Sequence, residues 1–207
     1  MIGLGRRTDT IDTFTDLISE QETWLVDHGA RVARIAATLG TRLGLGTEQL
    51  RRLHVTAHLH DVGKIHIDSH VVNKPGPLAD QEWEEMRRHP AEGFLLLEGL
   101  VHPEIATAVL FHHERFDGGG YPRGLSGTAI PYLSRILFVA DAFDAITSER
   151  PYQAALSTEI ALGEIELHAG SQFDPAVVAA MLMRPSGAHH LSRSQTERSS
   201  GLPRALR

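Results

Sequence analysis

A helix that ends in a histidine-aspartate pair is predicted by residues 47–63, TEQLRRLHVTAHLHDVG. Its apolar positions recur at the three-and-four spacing of one helix face: Leu50, Leu53 and Ala57. Thr47 stands where a helix cap is expected, because its hydroxyl can accept a hydrogen bond from the first turn. The helix therefore delivers His60 and Asp61 near its end, where both side chains can converge on one point.

Helical patterns also lie on both sides of this segment. The stripe that precedes it has these inward positions: Trp24, His28, Val32, Ile35, Leu39 and Leu43. After it, helices are predicted over 80–88, 103–112, 132–147, 157–170 and 175–183, and a long glycine-rich connection over 114–131. No alternating strand pattern of useful length occurs. The predicted fold class is all-α, a single helical domain with its polar site in the bundle core.

The chain has 207 residues, 13 histidines, no cysteine and a formal net charge of −6. The absence of cysteine excludes disulfides and thiolate zinc sites, so any bound metal takes imidazole and carboxylate ligands. The negative charge disfavours a binder of nucleic-acid polymers or of anionic membranes. The longest stretch without Asp, Glu, Lys or Arg is 124–134, well short of the roughly 20 apolar residues of a spanning helix. A cytoplasmic protein is expected.

The patterns divide the chain into three parts. Residues 1–22 are polar with sparse apolar positions, as in a short leader helix or tail, and they do not resemble a secretion signal. Residues 23–184 hold the predicted domain, and its length suits one core. Residues 185–207 are rich in Ser and Arg and are expected to be disordered.

Seven polar residues are assigned to the inside of the predicted bundle. They are His28, His60, Asp61, His89, His112, His113 and Asp141. One octahedral metal needs about six donors, whereas two metals that share a bridging carboxylate need about four protein donors each plus waters. If Asp61 is counted twice, the set provides eight donors. Asp144 shares a helix face with Asp141, and two carboxylates on an apolar face are costly unless positive groups meet them.

Several short motifs, in their order and spacing, resemble one known family. They are His60-Asp61-Val62-Gly63-Lys64, Asn73-Lys74-Pro75-Gly76, His89-Pro90, His112-His113-Glu114, Asp117-Gly-Gly-Gly-Tyr121-Pro122, Ile130-Pro131 and the segment from Asp141 to Tyr152. The histidine-aspartate pair alone is a weak signal, because such a dipeptide often occurs by chance. Together the motifs resemble the HD-GYP family of metal-dependent phosphohydrolases over residues 23–183.

The resemblance implies a cyclic di-GMP phosphodiesterase, a bacterial enzyme that hydrolyses this dinucleotide to linear pGpG and, in many members, on to GMP. It implies two divalent cations, iron or manganese in the first place, with zinc, cobalt and nickel as alternatives. The implied ligands of one cation are His28, His60, Asp61 and Asp141, and those of the other are Asp61, His89, His112 and His113. Two such cations lower the pKa of a shared water, and the resulting hydroxide would attack phosphorus.

Further site residues follow from the same resemblance. Lys64 is implied as a catalytic residue beside Asp61 and as a residue that contacts a phosphate of the ligand. Arg150 is implied as another residue that contacts the ligand phosphate. Tyr121 and Pro122 lie in the glycine-rich loop. That loop either lines the ligand cleft, docks a partner such as a diguanylate cyclase domain, or acts as a structural turn.

Three departures from the family pattern stand out. Trp24 occupies the position of a glutamate that supports a third metal in some members, so a dinuclear site is expected. Gln153 replaces a cation found in many members, which bears on substrate affinity and on the second hydrolysis step. Family domains usually follow a receiver or sensory domain, whereas residues 1–22 precede the match here.

Two functional alternatives stay open beside the phosphodiesterase. One is a non-catalytic module of the same fold that senses a ligand or docks a partner. The other is a phosphohydrolase for another cyclic dinucleotide or nucleotide. Cyclic di-GMP is the expected partner, and a sensory protein and a second copy of the chain are further alternatives.

Overall fold

A computed structural model of the chain describes residues 23–149 and 155–183. These residues form α-helices and short 3-10 turns, with no β-strand among them. The all-α prediction is therefore confirmed. The predicted leader helix, the predicted disordered tail, Arg150 and Gln153 lie outside the described residues, as does the side chain of Trp24.

The helices follow one another along the chain with short connections. In chain order they are α1 (Thr23–Arg42), α2 (Thr47–Leu59), α3 (Ser69–Val72), α4 (Asp80–Met86), α5 (His89–Leu97), α6 (Pro103–Leu110), α7 (Tyr132–Thr147), α8 (Thr158–Leu167) and α9 (Pro175–Leu182). Two 3-10 turns cover Val62–His66 and Gly127–Ala129. None of the described helices has the length and apolar character needed to cross a lipid bilayer.

Several helix boundaries differ from the sequence prediction, including the ends of α6 at Leu110 and of α8 at Leu167. Gly46, rather than Thr47, occupies the cap position of α2, and Thr47 is its first residue. The predicted helix over 80–88 ends at Met86, and a helix that the pattern did not predict, α5, begins at His89. Pro90 explains both the end of α4 and the start of α5. Proline disfavours a continuing helix before it, yet it fits a first turn, where its missing N–H has no partner to lose.

Apolar side chains form two buried clusters. The larger joins α1, α2, α7, α8 and α9, and the smaller joins the start of α1 to α2, α5 and α6. Helix α7 is buried on nearly all sides and carries Asp141 and Asp144 into the interior. The two clusters meet at α1 and α2. Polar residues on α1, at the end of α2 and on α7 lie near this junction, where a site can form.

Gly63 permits the closest backbone approach in this region. A Cβ atom at this position would overlap the carbonyl oxygen of His89 and the amide nitrogen of Gly93. The 3-10 turn after α2 therefore packs directly on the first turns of α5. This contact brings Asp61, which precedes the turn, close to His89.

Candidate metal centre

The seven residues predicted as ligands come together in the interior. His28 and Asp141 lie within the long helices α1 and α7. The others lie at helix ends or just beyond them: His60, Asp61, His89, His112 and His113. Donor atoms of six of them form two groups, each with all atoms within 4.8 Å of one another: His28, His60 and Asp141, and His89, His112 and His113. Each group holds three of the four residues that the resemblance implies for one cation.

Asp61 lies between the two groups. Its Oδ2 is 3.4 Å from Nε2 of His60 and 3.9 Å from Nε2 of His28. Its Oδ1 is 3.4 Å from Nε2 of His89. One carboxylate oxygen therefore faces each group, which is the arrangement of a carboxylate that bridges two cations.

Three of the histidines share one local arrangement. The Nδ1 atom of each donates to the carbonyl oxygen three residues earlier: His60 to Ala57 at 2.8 Å, His89 to Met86 at 2.7 Å and His112 to Val109 at 2.6 Å. These carbonyls belong to the last turns of α2, α4 and α6, where no intrahelical donor is available. Because a carbonyl only accepts, Nδ1 carries the hydrogen and Nε2 keeps its lone pair.

The Nε2 lone pairs of these three histidines point into the centre, where no donor group of the described residues forms a hydrogen bond with them. Nε2 of His60 is buried and has no hydrogen-bond partner in the part of the chain that the structure describes. Nε2 of His89 and Nε2 of His112 face each other at 3.3 Å, although both carry lone pairs. Buried nitrogens in this state are costly unless a cation meets them. The donor set therefore fits divalent cations, which bind neutral imidazoles and carboxylates.

His28 is oriented by a carboxylate instead of a carbonyl. Its Nδ1 donates to Oδ2 of Asp144 at 2.7 Å, and its Nε2 is turned toward Oδ1 of Asp141 at 3.1 Å. Asp144 also accepts two hydrogen bonds from Arg31, at 2.7 and 3.1 Å, and one from the Ser148 hydroxyl at 2.9 Å. Asp144 thus holds the ring of His28 without facing the centre itself, a common arrangement for a metal-binding histidine.

The second group is uncharged at neutral pH. Burial lowers the pKa of His89 to about 3, although the charge of Asp61 opposes the shift. Burial and the neighbouring rings also lower the pKa of His112, and burial lowers the pKa of His113 to about 4. Neutral imidazole is the form that binds a metal, so these three rings are ready to bind at neutral pH.

The two carboxylates at the first group, Asp61 and Asp141, are ionised at neutral pH. Burial would raise the pKa of both Asp61 and Asp141, but positive neighbours outweigh it, chiefly Lys64 for Asp61 and His28 for Asp141, and hold both values below the usual range. Burial lowers the pKa of His28, but Asp141 and Asp144 outweigh that effect and raise it to about 9. The neighbouring carboxylates therefore favour a positive charge at the His28 ring, which a proton or a bound metal ion can supply.

Replacement of Asp144 by asparagine is expected to weaken metal binding without unfolding the protein. The carboxamide has the same shape but loses the charge that holds His28 and Arg31. Loss of such a supporting group typically costs 10- to 100-fold, so we expect about that fall in manganese affinity. Titration of metal-free protein measures it, and the ring nitrogen shifts of His28 report the altered tautomer. Ser148→Ala is the control and should bind manganese like the wild type.

Lys64 and Tyr121, both predicted as site residues, lie against the metal-ligand candidates. Nζ of Lys64 donates to Oδ2 of Asp61 at 2.6 Å. The ring of Tyr121 stacks on His113, with centroids 4.9 Å apart and planes inclined by 23°. Pro122 follows on the exposed side of the loop. The loop that carries Tyr121 therefore covers one ligand candidate, while its Pro122 side faces solvent.

Glu114 was missed by the sequence reasoning as a supporting residue. It is buried, and its carboxylate accepts from the backbone N–H of Arg123 at 2.7 Å and of Leu125 at 2.9 Å. These bonds tie down the loop around Tyr121. Helical periodicity offers no signal for such a residue, because it lies in a connection. Its position directly after His113 was the one available hint.

The fold and this arrangement define an HD domain, and the chain belongs to that family. The family model described as HD domain matches residues 12–177. The chain is 44% identical over 155 residues to the cyclic di-GMP phosphodiesterase response regulator RpfG of Xanthomonas campestris, a match that covers 73% of this chain and 41% of RpfG. The resemblance to the HD-GYP family is thereby confirmed.

Two further relatives come from Vibrio cholerae. The chain is 35% identical over 143 residues to 3′3′-cGAMP-specific phosphodiesterase 1, covering 69% of this chain and 33% of that protein. The crystal structure of the cyclic GMP-AMP specific phosphodiesterase V-cGAP3 shares the fold with a TM-score of 0.62 at 24% identity, over 81% of this chain and 47% of that one. The chain thus spans less than half the length of the relatives it matches.

Proposed function

We propose that this domain is a metal-dependent phosphodiesterase that hydrolyses cyclic di-GMP to linear pGpG. The observation that carries the proposal is the position of Asp61, one oxygen of which faces each histidine group. The most similar of the relatives described above, RpfG, is named a cyclic di-GMP phosphodiesterase. Two cations, iron or manganese by preference, are assigned to the two groups.

The residues of the chain have separate tasks in this proposal. Bound cations would supply a water of lowered pKa and neutralise charge on the phosphate. Asp61 bridges the two groups, and Asp144 keeps Nε2 of His28 directed inward. Lys64, 2.6 Å from Asp61, is placed to contact the scissile phosphate beside the bridge. The role of Arg150 as a phosphate contact is proposed from the sequence alone.

The Tyr121 loop is proposed to line the substrate cleft. Its tyrosine stacks on His113, so a substrate in the centre would meet the phenol ring. Docking of a diguanylate cyclase domain on the exposed Pro122 side stays a prediction from the resemblance.

A second candidate is hydrolysis of 3′3′-cGAMP. It is favoured by the 35% identity to a relative named for that substrate. The two cyclic dinucleotides share two phosphates in one ring and differ in one base. The metal centre would therefore act on either, and base contacts would decide between them.

The experiment is turnover by purified protein loaded with ferrous or manganous ions without oxygen. Cyclic di-GMP and 3′3′-cGAMP are supplied separately, and the products are separated by chromatography. We expect pGpG from cyclic di-GMP, about two metals per chain by elemental analysis, and no product after chelation. Turnover of 3′3′-cGAMP alone would favour the second candidate. Two bound metals with no linear product from either compound would indicate a non-catalytic module.

A further inference from the structure

Arg87 occupies a fixed position beside the candidate metal centre. It follows α4 directly and lies two residues before His89. Its backbone N–H donates to the carbonyl of Trp83 at 3.0 Å. The carbonyl of Met86, the residue before it, accepts from Nδ1 of His89. The backbone around Arg87 is therefore tied on both sides, and its distance from the centre is set by the same turn that positions a ligand candidate.

The side chain of Arg87 is exposed and lies against two aromatic rings. Its guanidinium carbon is 5.6 Å from the ring centroid of Tyr121 and 5.9 Å from that of Trp83. Tyr121 in turn stacks on His113. A series of stacked groups thus leads outward from the metal centre through Tyr121 to Arg87. Contact between guanidinium and aromatic faces restrains the side chain but leaves its N–H edge available to a ligand.

Arg87 has no carboxylate ion-pair partner among residues 23–149 and 155–183. The neighbouring arginines differ, since Arg88 is 3.1 Å from Glu92 and Arg115 is 2.7 Å from Asp117. In a chain with a net charge of −6, an arginine held by rings and without a carboxylate partner is an anion-binding group by its chemistry.

Tyr121 lies between the centre and Arg87. Its ring stacks on His113, and the guanidinium carbon of Arg87 is 5.6 Å from its centroid. A substrate that enters past Tyr121 would meet Arg87 at the rim.

We propose that Arg87 binds the second, non-scissile phosphate of a cyclic dinucleotide, which makes it a specificity residue for ring substrates with two phosphates. The inference rests on the proposed function for the identity of the substrate. With one phosphate at the cations and Lys64, the other phosphate of the ring lies farther out, and the guanidinium can donate two parallel N–H hydrogen bonds to its oxygens. A substrate with a single phosphate gains little from this contact.

The test compares Arg87→Gln with Arg88→Gln, the matched control in the same turn. Each metal-loaded variant is assayed with cyclic di-GMP and with bis(p-nitrophenyl) phosphate, a diester with one phosphate. A lost charge-assisted contact is worth about 1.5–3 kcal/mol, so the KM for cyclic di-GMP should rise about tenfold or more in Arg87→Gln. The KM for the one-phosphate diester should change far less, and Arg87→Lys should restore part of the affinity. Arg88→Gln should behave as the wild type.

Two results would overturn the role of Arg87. One is an equal loss on both substrates or a loss of bound metal, which would mean that Arg87 only supports Tyr121. The other is an unchanged KM for cyclic di-GMP. Calorimetric binding of cyclic di-GMP separates this inference from the proposed function. If the wild type binds the dinucleotide without cleaving it, only the proposed function fails, and the affinity ratio of the two variants still decides the role of Arg87. If it binds none, both fail.

Discussion

Asp61→Ala should abolish phosphodiester hydrolysis and release metal from both histidine groups. Each oxygen of Asp61 faces one group, so the substitution removes the carboxylate that we propose as a ligand of both cations. A centre that stabilises the transition state by several kcal/mol would lose about a thousandfold or more in rate. Turnover of cyclic di-GMP and elemental analysis of the same preparation measure the two effects.

The control for this variant is Asp27→Ala. Asp27 is exposed on α1 and precedes the buried His28. Its replacement removes one negative charge next to a ligand candidate but changes no side chain inside the centre. It should retain both metal content and turnover. A preparation of Asp61→Ala that keeps two metals per chain would contradict the bridging role.

Gly63→Ala should destabilise the protein and open the metal centre. The new methyl group would overlap backbone atoms of His89 and Gly93, which cannot move aside as a flexible side chain can. Overpacking of this kind costs about 1–3 kcal/mol, so we expect a fall of several degrees in the unfolding temperature of the metal-free protein. Because the 3-10 turn must move away from α5, Asp61 and His89 separate, and metal affinity falls as well.

Gly163→Ala provides a matched glycine control in α8. A Cβ atom there meets nothing within 4 Å, and alanine is favoured over glycine inside a helix by about 0.5–1 kcal/mol. The control should therefore be slightly more stable than the wild type and bind metal normally. Equal stability of the two variants in urea unfolding would contradict the close packing at Gly63.

The helices with strong end signals could be predicted from the sequence. Asp174 before Pro175 predicted the start of α9, and its carboxylate accepts from the backbone N–H of Ala176 at 2.8 Å. Helix α5 was missed because Pro90 indicates both the end of one helix and the beginning of the next. Sequence periodicity does not separate these two uses of proline.

The sequence predicted which residues form the candidate site. It did not predict how their side chains are oriented. The resemblance supplied all seven candidate ligand positions, including His89 and His113, which periodicity alone would not have selected. The sequence could not show which ring nitrogen faces inward, because that depends on carbonyls and on Asp144 in the folded chain. Arg87 was missed for a similar reason, since its contact with Tyr121 joins distant parts of the chain.

The histidines that donate to carbonyls at helix ends tie the direction of each ligand to the length of its helix. Each added residue turns an α-helix by about 100°. One extra residue inside α2, α4 or α6 would therefore rotate the histidine that follows the helix away from its partners, even if every side chain around it were kept. Insertions and deletions are compatible with this centre only in connections that carry no ligand, such as residues 73–79 between α3 and α4. In this domain the spacing along the helices is as strictly constrained as the identity of the ligands.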